Sequence, residues 1–172
     1  MFYIFIGIGL LLLVSLAYAA ASGAPWVPTR KGDLERIERL AKLEGGEKFV
    51  ELGCGNGRVC RHMSRLVPNA QVKGVELSLL QYLVAVVQAV ASKSRARFRF
   101  QNVFSHDLSN YDVTYMFLMP ETYEKIRPKL EKELKPGSRV ISYVWPIPGW
   151  SPDVIDKQEG QLDLYLYKVK NC

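Results

Sequence analysis

Nothing in the first 29 residues carries a charged side chain. All 23 basic and all 17 acidic residues of this 172-residue chain lie beyond Thr29. That asymmetry separates an apolar head from a charged body large enough to bury a core of its own. Cysteine is scarce. Cys54, Cys60 and Cys172 are odd in number and contain no Cys-x-x-Cys pair, which excludes a disulfide framework and a zinc knuckle and suits a reducing compartment. No Gly-Lys-Ser/Thr occurs, so a Walker-type phosphate cradle is excluded. No Pro/Gly/Ser-rich tract and no internal repeat argues for disorder or a solenoid. His62 and His106 stand alone, as ordinary hydrogen-bonding residues on a helix and in a loop, and no metal is expected. The net charge of +6 is compatible with acidic lipid, nucleic acid or no particular partner.

What is present begins with Phe2 to Ala21, an uncharged run that as a helix would span about 30 Å, the thickness of a bilayer's hydrocarbon core. It predicts a transmembrane helix over residues 1–23, in contact with the bilayer through residues 2–21. Arg30, Lys31, Arg36 and Arg39 follow it, so positive-inside counting puts the body on the cytoplasmic or mitochondrial matrix side of a single-pass membrane protein. The rival is a cleaved signal peptide, with Ala17-Tyr18-Ala19 as the small-residue site, but the segment before the apolar run lacks Lys and Arg. Residues 24–32 form a stiff proline-containing linker, and residues 33–172 form the folded domain.

In the body, Asp33 is placed to cap a helix with Leu34, Ile37, Leu40 and Ala41 on one face, stopped at Gly45-Gly46. Strands are expected at Lys48–Leu52, Gln71–Glu76, Arg95–Gln101, Tyr111–Leu118 and Arg139–Trp145. Helices follow Gly57, with Val59, Met63 and Leu66 on one face, and run from Leu79 to Ala91. A further helix face is marked by Tyr123, Ile126, Leu130 and Leu134, where Pro128 predicts a kink or two shorter helices. Val154–Ile155 and Leu162–Val169 would close the chain as a hairpin around Gly160. Strand alternating with helix means a Rossmann-like α/β fold, doubly wound and mostly parallel, with an antiparallel C-terminal edge.

The informative stretch is Glu51-Leu52-Gly53-Cys54-Gly55-Asn56-Gly57, between a strand and a helix. Glycines there let the backbone turn sharply and approach a ligand closely. Glu76 closes the next strand, 19 residues past Gly57, where a carboxylate can accept both ribose hydroxyls of a nucleoside. The third strand ends at Gln101-Asn102-Val103-Phe104, which offers an amide and a backbone N–H to an adenine edge beside an apolar contact. Three successive strand ends thus supply loop, ribose acceptor and base pocket. The glycines fall as Gly-x-Gly-x-Gly rather than the Gly-x-Gly-x-x-Gly that sets a helix N-terminus on a pyrophosphate. Glu51 is a poor neighbour for phosphate and a good one for a sulfonium or ammonium. The cofactor expected is S-adenosylmethionine, with an NAD site or an incidental turn as the competing readings.

The Glu51–Gly57 loop with Glu76 resembles the class I (seven-strand) methyltransferases, over most of the body from residue 30 on. Ala24-Pro25-Trp26-Val27-Pro28-Thr29, Met116-Phe117-Leu118, the run from Pro128 to Gly137 and Gly149-Trp150-Ser151-Pro152 are similar to segments of a group of small protein-lysine methyltransferases. That group includes an archaeal broad-specificity enzyme and membrane-anchored enzymes acting on a membrane component of ATP synthase and on the adenine nucleotide translocase. The resemblance implies that Glu51, Gly53, Gly55 and Gly57 line the methionine end of the cofactor. It implies Glu76, followed by Leu77, at the ribose, and Asn102 with Val103 at the adenine. Pro28 and Thr29 complete the cofactor-binding set. Many class I enzymes carry Asp at the Asn102 position; Asn keeps an acceptor oxygen there.

Methyl transfer from a sulfonium to an amine is an in-line displacement, so the protein mainly positions two atoms and excludes water. The acceptor mouth is expected at Trp26, Tyr115, Met119, Tyr143 and Trp145, on the linker or at the ends of the fourth and fifth strands. Tyr115 and Tyr143 have core positions as their alternative. Methylation of adenine or glutamine amides calls for an Asp/Asn-Pro-Pro-aromatic turn after strand four, and this chain has Phe117-Leu118-Met119-Pro120 instead. Cytosine-C5 chemistry calls for a Pro-Cys nucleophile, and no cysteine follows proline. Arg95, Arg97 and Arg99 alternate as a solvated strand face or a lipid-attracting one rather than as a nucleic-acid stripe, so no nucleic acid is expected. The sequence thus predicts a membrane-anchored protein-lysine N-methyltransferase whose partner is a membrane-associated protein presenting a lysine. A methyltransferase for a lipid or quinone-like molecule and a non-enzymatic cofactor-binding membrane adaptor are the alternatives.

Overall fold

Short apolar runs bounded by turn residues become five parallel strands. β1 (Lys48–Leu52), β2 (Gln71–Glu76), β3 (Arg97–Phe100), β4 (Val113–Met116) and β5 (Arg139–Tyr143) are joined by β6 (Val154–Asp156) and β7 (Leu164–Lys168). The computed structural model describes residues 2–22 and 27–170. The strand order is β3-β2-β1-β4-β5-β7-β6, with β7 antiparallel to both β5 and β6. The register sets Glu51 opposite Tyr115 and Leu52 opposite Val75, which brings the ends of β1, β2 and β4 to one rim. The Rossmann-like seven-stranded sheet with an antiparallel C-terminal hairpin is therefore as expected.

Side-chain alternation divides the core in two. On one face Ile37, Leu40, Val59 and Met63, from α2 (Leu34–Ala41) and α3 (Arg58–Leu66), pack on Phe49, Val113, Ile141 and Leu164. On the other, Tyr123, Ile126 and Leu130 of α5 (Pro120–Glu133) pack on Val50, Leu52, Met116 and Val140. α4 (Leu79–Ala91) lies on the α3 side, where Ala85 meets Phe98 across Gly57. α5 is one helix rather than two. Pro128 frees one carbonyl, that of Glu124, and both residues are on the solvent side, so water can satisfy it while Ile126 and Leu130 stay buried. α2 ends at Lys42 in the left-handed region (φ 43°), ahead of Gly45.

Asp33 sits at the start of α2 without capping it. Its carboxylate pairs with Arg36 (2.7 Å) and accepts from the Tyr143 hydroxyl. Arg36 makes five hydrogen bonds: one to Asp33, three to the Asp156 carboxylate and carbonyl, and one to the Leu162 carbonyl. This 2%-exposed guanidinium clasps the start of α2 to the C-terminal hairpin.

The expected membrane topology is corrected. Phe2–Ser22 is a helix, α1, of 21 residues. Among the described residues, however, no helix is long and apolar enough to cross a membrane. α1 instead meets the body: the Ser15 hydroxyl accepts from the Leu79 N–H at the start of α4 (2.8 Å). Arg36, expected to flank a bilayer as a free cation, is a core residue. The transmembrane segment and the single-pass location therefore do not hold, and the bilayer contact expected through residues 2–21 has no support.

Candidate active site

β1 delivers Glu51 and then turns at Gly53 (φ +73°), where a Cβ would lie 2.8 Å from Leu118 Cδ2. The chain enters α3 at Gly57 (φ +69°), where a Cβ would stand 2.5 Å from the Phe98 ring. Both positions need glycine for conformation and for space. The N–H groups of Gly53 and Cys54 donate to the Val75 carbonyl (2.9 and 3.0 Å), which ties the loop to the end of β2. Glu76 is there. One of its oxygens accepts from the Gly55 N–H (2.8 Å) and the other from the Ser78 N–H (2.7 Å), so its carboxylate lies directly against the loop. Leu77 follows, half-buried.

Glu51 has a different setting. It is 4% exposed, and one oxygen accepts from both the N–H and the thiol of Cys60 (3.1 and 3.0 Å). Burial raises its pKa to about 8 against the two Cys60 hydrogen bonds, with Glu76 adding to the rise. Burial thus favours its protonated form in the ligand-free site. Burial likewise pushes the Cys54 and Cys60 thiols well up, so neither is a nucleophile.

The third strand end is less open than the sequence suggests. Asn102 Oδ1 accepts from the Phe104 N–H (2.9 Å) and caps the single turn Val103–Ser105. That oxygen keeps one lone pair, and the side-chain amide keeps its donors. Gln101 faces elsewhere, bonded to Ser105 and His106.

Val27–Arg30 runs across the ends of β4 and β5. The Thr29 carbonyl accepts from Arg58 (2.5 Å), and the Thr29 and Tyr115 hydroxyls pair at 2.9 Å. Pro28 is half-buried beside it, and Trp26 lies outside the described residues. Tyr115 and Tyr143 are fully buried, their hydroxyls are occupied, and burial raises both pKa values, so neither is placed to act as a base. Met119 and Trp145 are 39% and 43% exposed at the same rim. The structure thus divides the expected mouth residues it describes into a buried pair and an exposed pair.

Two features give no sequence signal. Val144, between Tyr143 and Trp145, has φ +74°, an outlier for a β-branched residue, and is held by its N–H to the Asp163 carbonyl (2.8 Å). The Tyr123 hydroxyl donates to the Met116 carbonyl (3.0 Å) and anchors the end of β4 to α5.

These residues fit S-adenosylmethionine. Two carboxylates flank a loop closed to side chains, and one of them is a buried acid poised to ionise beside a cation. The family model of the ANTKMT methyltransferase domain matches residues 51–154. A protein-lysine N-methyltransferase of Saccharolobus islandicus is 34% identical over 150 residues, which cover 84% of this chain and 93% of that one. The adenine nucleotide translocase lysine N-methyltransferase of Mus musculus is 28% identical over 84% of this chain, which spans 63% of that relative's length. A crystal structure of an RNA methyltransferase from Salinibacter ruber, in complex with S-adenosyl-L-homocysteine, superposes with a TM-score of 0.80 at 28% identity, covering 84% and 94% of the two chains. With its sheet order, its loop between two carboxylates and these relatives, the chain belongs to the ANTKMT methyltransferase domain family and is an S-adenosylmethionine-dependent methyltransferase.

Proposed function

We propose that the chain is a protein-lysine N-methyltransferase. The observation that carries this is the 34% identity, over 84% of this chain and 93% of the relative, to a protein bearing that name. The rim supports it, because Met119 and Trp145 offer a lysine chain apolar and aromatic surface and, among the described residues, neither buried tyrosine behind them is placed to act as a base. S-adenosylmethionine supplies a methyl group already activated on a sulfonium. Glu76 would accept the ribose hydroxyls on the lone pairs its oxygens keep beside the Gly55 and Ser78 N–H bonds, with Leu77 against the sugar. Asn102 and Val103 would face the adenine, and Gly53, Gly55 and Gly57 would leave room for the methionine chain beside Glu51. Pro28 and Thr29 close the site from the N-terminal side.

The lysine enters between Met119 and Trp145. Tyr115 and Tyr143 act from behind the rim as positioning residues, since their hydroxyls hold Thr29 and Asp33. An amine desolvated there loses its proton without a dedicated base, and alignment of amine and methyl supplies roughly 7–11 kcal/mol of the barrier reduction.

The test is transfer of labelled methyl to protein and RNA fractions by wild type and Glu76→Ala, with mass spectrometry of the product. ε-N-methyl-lysine formed by wild type and lost in the variant is expected. Label confined to RNA or to solvent-extractable material, or equal labelling by the two proteins, would overturn the assignment.

A further inference from the structure

The connection from β3 to β4 carries only the turn Val103–Ser105, where a parallel crossover usually supplies a helix. The face of β2 and β3 opposite α3 and α4 therefore carries no helix, and beyond the buried Val75 it lines an open cleft of about 770 Å³. What covers that floor is charge rather than apolar surface. Lys73 of β2 and Arg97 and Arg99 of β3 point the same way by register, with Lys48 at the start of β1 and Arg95 ahead of β3. Among the described residues Asp107 is the one carboxylate in the lining. Among them, too, none of Lys48, Lys73, Arg97 and Arg99 is in an ion pair, and Lys73 sits 5.7 Å over the Tyr111 ring. The field reaches His106: burial, then Lys73, Arg99 and Lys129, holds its imidazole below the ordinary histidine range.

We propose that this cleft is a docking groove for an extended acidic segment of the protein substrate, laid along the open edge of β3. The identity of the partner as substrate rests on the lysine methyltransferase reading; the groove itself does not. β3 is the edge strand, so its outer ladder is unpaired and open to strand addition. Arg97 and Arg99 are two residues apart on one face, about 6.7 Å along the strand. Carboxylates at alternate positions of an added strand repeat at the same distance and meet both guanidinium forks.

Cations on an edge strand also discourage pairing between copies, but that role does not reach Lys73 on the inner strand or Lys48 on β1. A single-stranded nucleic acid is disfavoured because the rings in the cleft, His106 and Tyr111, are 4% and 7% exposed, with Tyr111 under Lys73, leaving no platform for base stacking. A lipid surface is disfavoured because the cations line a recess.

The test uses the full chain and a fluorescein-labelled peptide of alternating Glu and Ser, followed by anisotropy at low salt. Arg97→Glu/Arg99→Glu is expected to weaken binding about tenfold or more. Lys125→Glu/Lys132→Glu, an equal charge change on exposed positions of α5, should alter it less than about twofold. Equal losses in the two double variants would reduce the effect to net charge and overturn the proposal. Tighter binding of a single-stranded RNA oligonucleotide or of phosphatidylserine vesicles, or equal binding of a Gln-Ser peptide, would overturn it too. Should the charge reversal impair folding, hydrogen exchange on wild type decides: the acidic peptide must protect the amides of residues 97–100, and protection elsewhere contradicts the groove. Because binding is read without turnover, peptide binding with no lysine methylation would fail the catalytic reading alone. Lysine methylation without peptide binding would fail the groove alone.

Discussion

Glu51 and Glu76 flank the same glycine loop and are held in opposite ways. Glu76 sits at the end of β2 with both oxygens on backbone N–H groups, one of which belongs to the loop. Glu51 lies at the other side of the loop, buried under α3, with its hydrogen bonds from Cys60 alone. The first is a ready-made carboxylate acceptor for neutral hydroxyls. The second is a latent charge that forms when a cation arrives. The sequence assigns the two different partners, and their donors distinguish them in the fold: two backbone N–H groups for Glu76, and the N–H and thiol of Cys60 for Glu51.

The contrast breaks most visibly at Glu76. Glu76→Ala removes two charge-assisted hydrogen bonds of roughly 1.5–3 kcal/mol each, so calorimetry should find S-adenosylmethionine binding weakened by about a hundredfold or more. Glu76→Gln, which keeps one acceptor oxygen, should fall between. Next is the loop that joins the two carboxylates. Gly57→Ala meets the Phe98 ring and an unfavourable φ together, and should destabilise the protein by about 1–3 kcal/mol. Gly46→Ala, at φ +90° with nothing near its Cβ, should cost less in the same thermal melts.

A smaller and more specific effect isolates Glu51. Its folded pKa is raised, so the ligand-free folded state binds the proton more tightly than the unfolded chain. Its contribution to stability is therefore greatest below its ordinary value of 4.5 and declines as pH rises towards about 8. Cofactor binding carries the opposite sign. A cation favours the ionised carboxylate, so affinity should rise with pH by up to about tenfold per unit below pH 8, with protons released to the buffer. Glu51→Gln should flatten both slopes. Titrations in buffers of different ionisation enthalpy read the proton release directly, and an unchanged slope in the variant would clear Glu51 of any part in it.

The smallest effect is expected farthest from both carboxylates. Val144→Gly relieves the left-handed strain but frees the chain, so its melting behaviour should change by less than about 1 kcal/mol. Cofactor affinity should be preserved while turnover falls a few-fold, because Trp145 is no longer aimed.

Local chemistry is legible in the sequence. The strand entering Gly53, the helix leaving Gly57, Glu76 at the end of the next strand and the closing hairpin all follow from patterns within a few residues. What escapes it depends on contacts across the chain. Arg36 reads as a surface cation until Asp156, 120 positions away, accepts three of its hydrogen bonds. The proline in α5 reads as a break until Ile126 and Leu130 are seen to anchor the helix on both sides of it. The apolar head reads as a bilayer span, yet among the described residues no helix is long and apolar enough to cross a membrane. Asn102 looks like a free adenine acceptor until its oxygen is found on Phe104. The basic cleft is legible only as alternating arginines, since the missing crossover helix that bares it is a fact of topology.

The most direct measurement is a crystal structure of the full chain with S-adenosyl-L-homocysteine. Density is expected over Gly53–Gly57, with both ribose hydroxyls on Glu76 and the sulfur facing the rim of Met119 and Trp145. A nucleoside bound away from that loop, or ribose hydroxyls out of reach of Glu76, would contradict the two-carboxylate site.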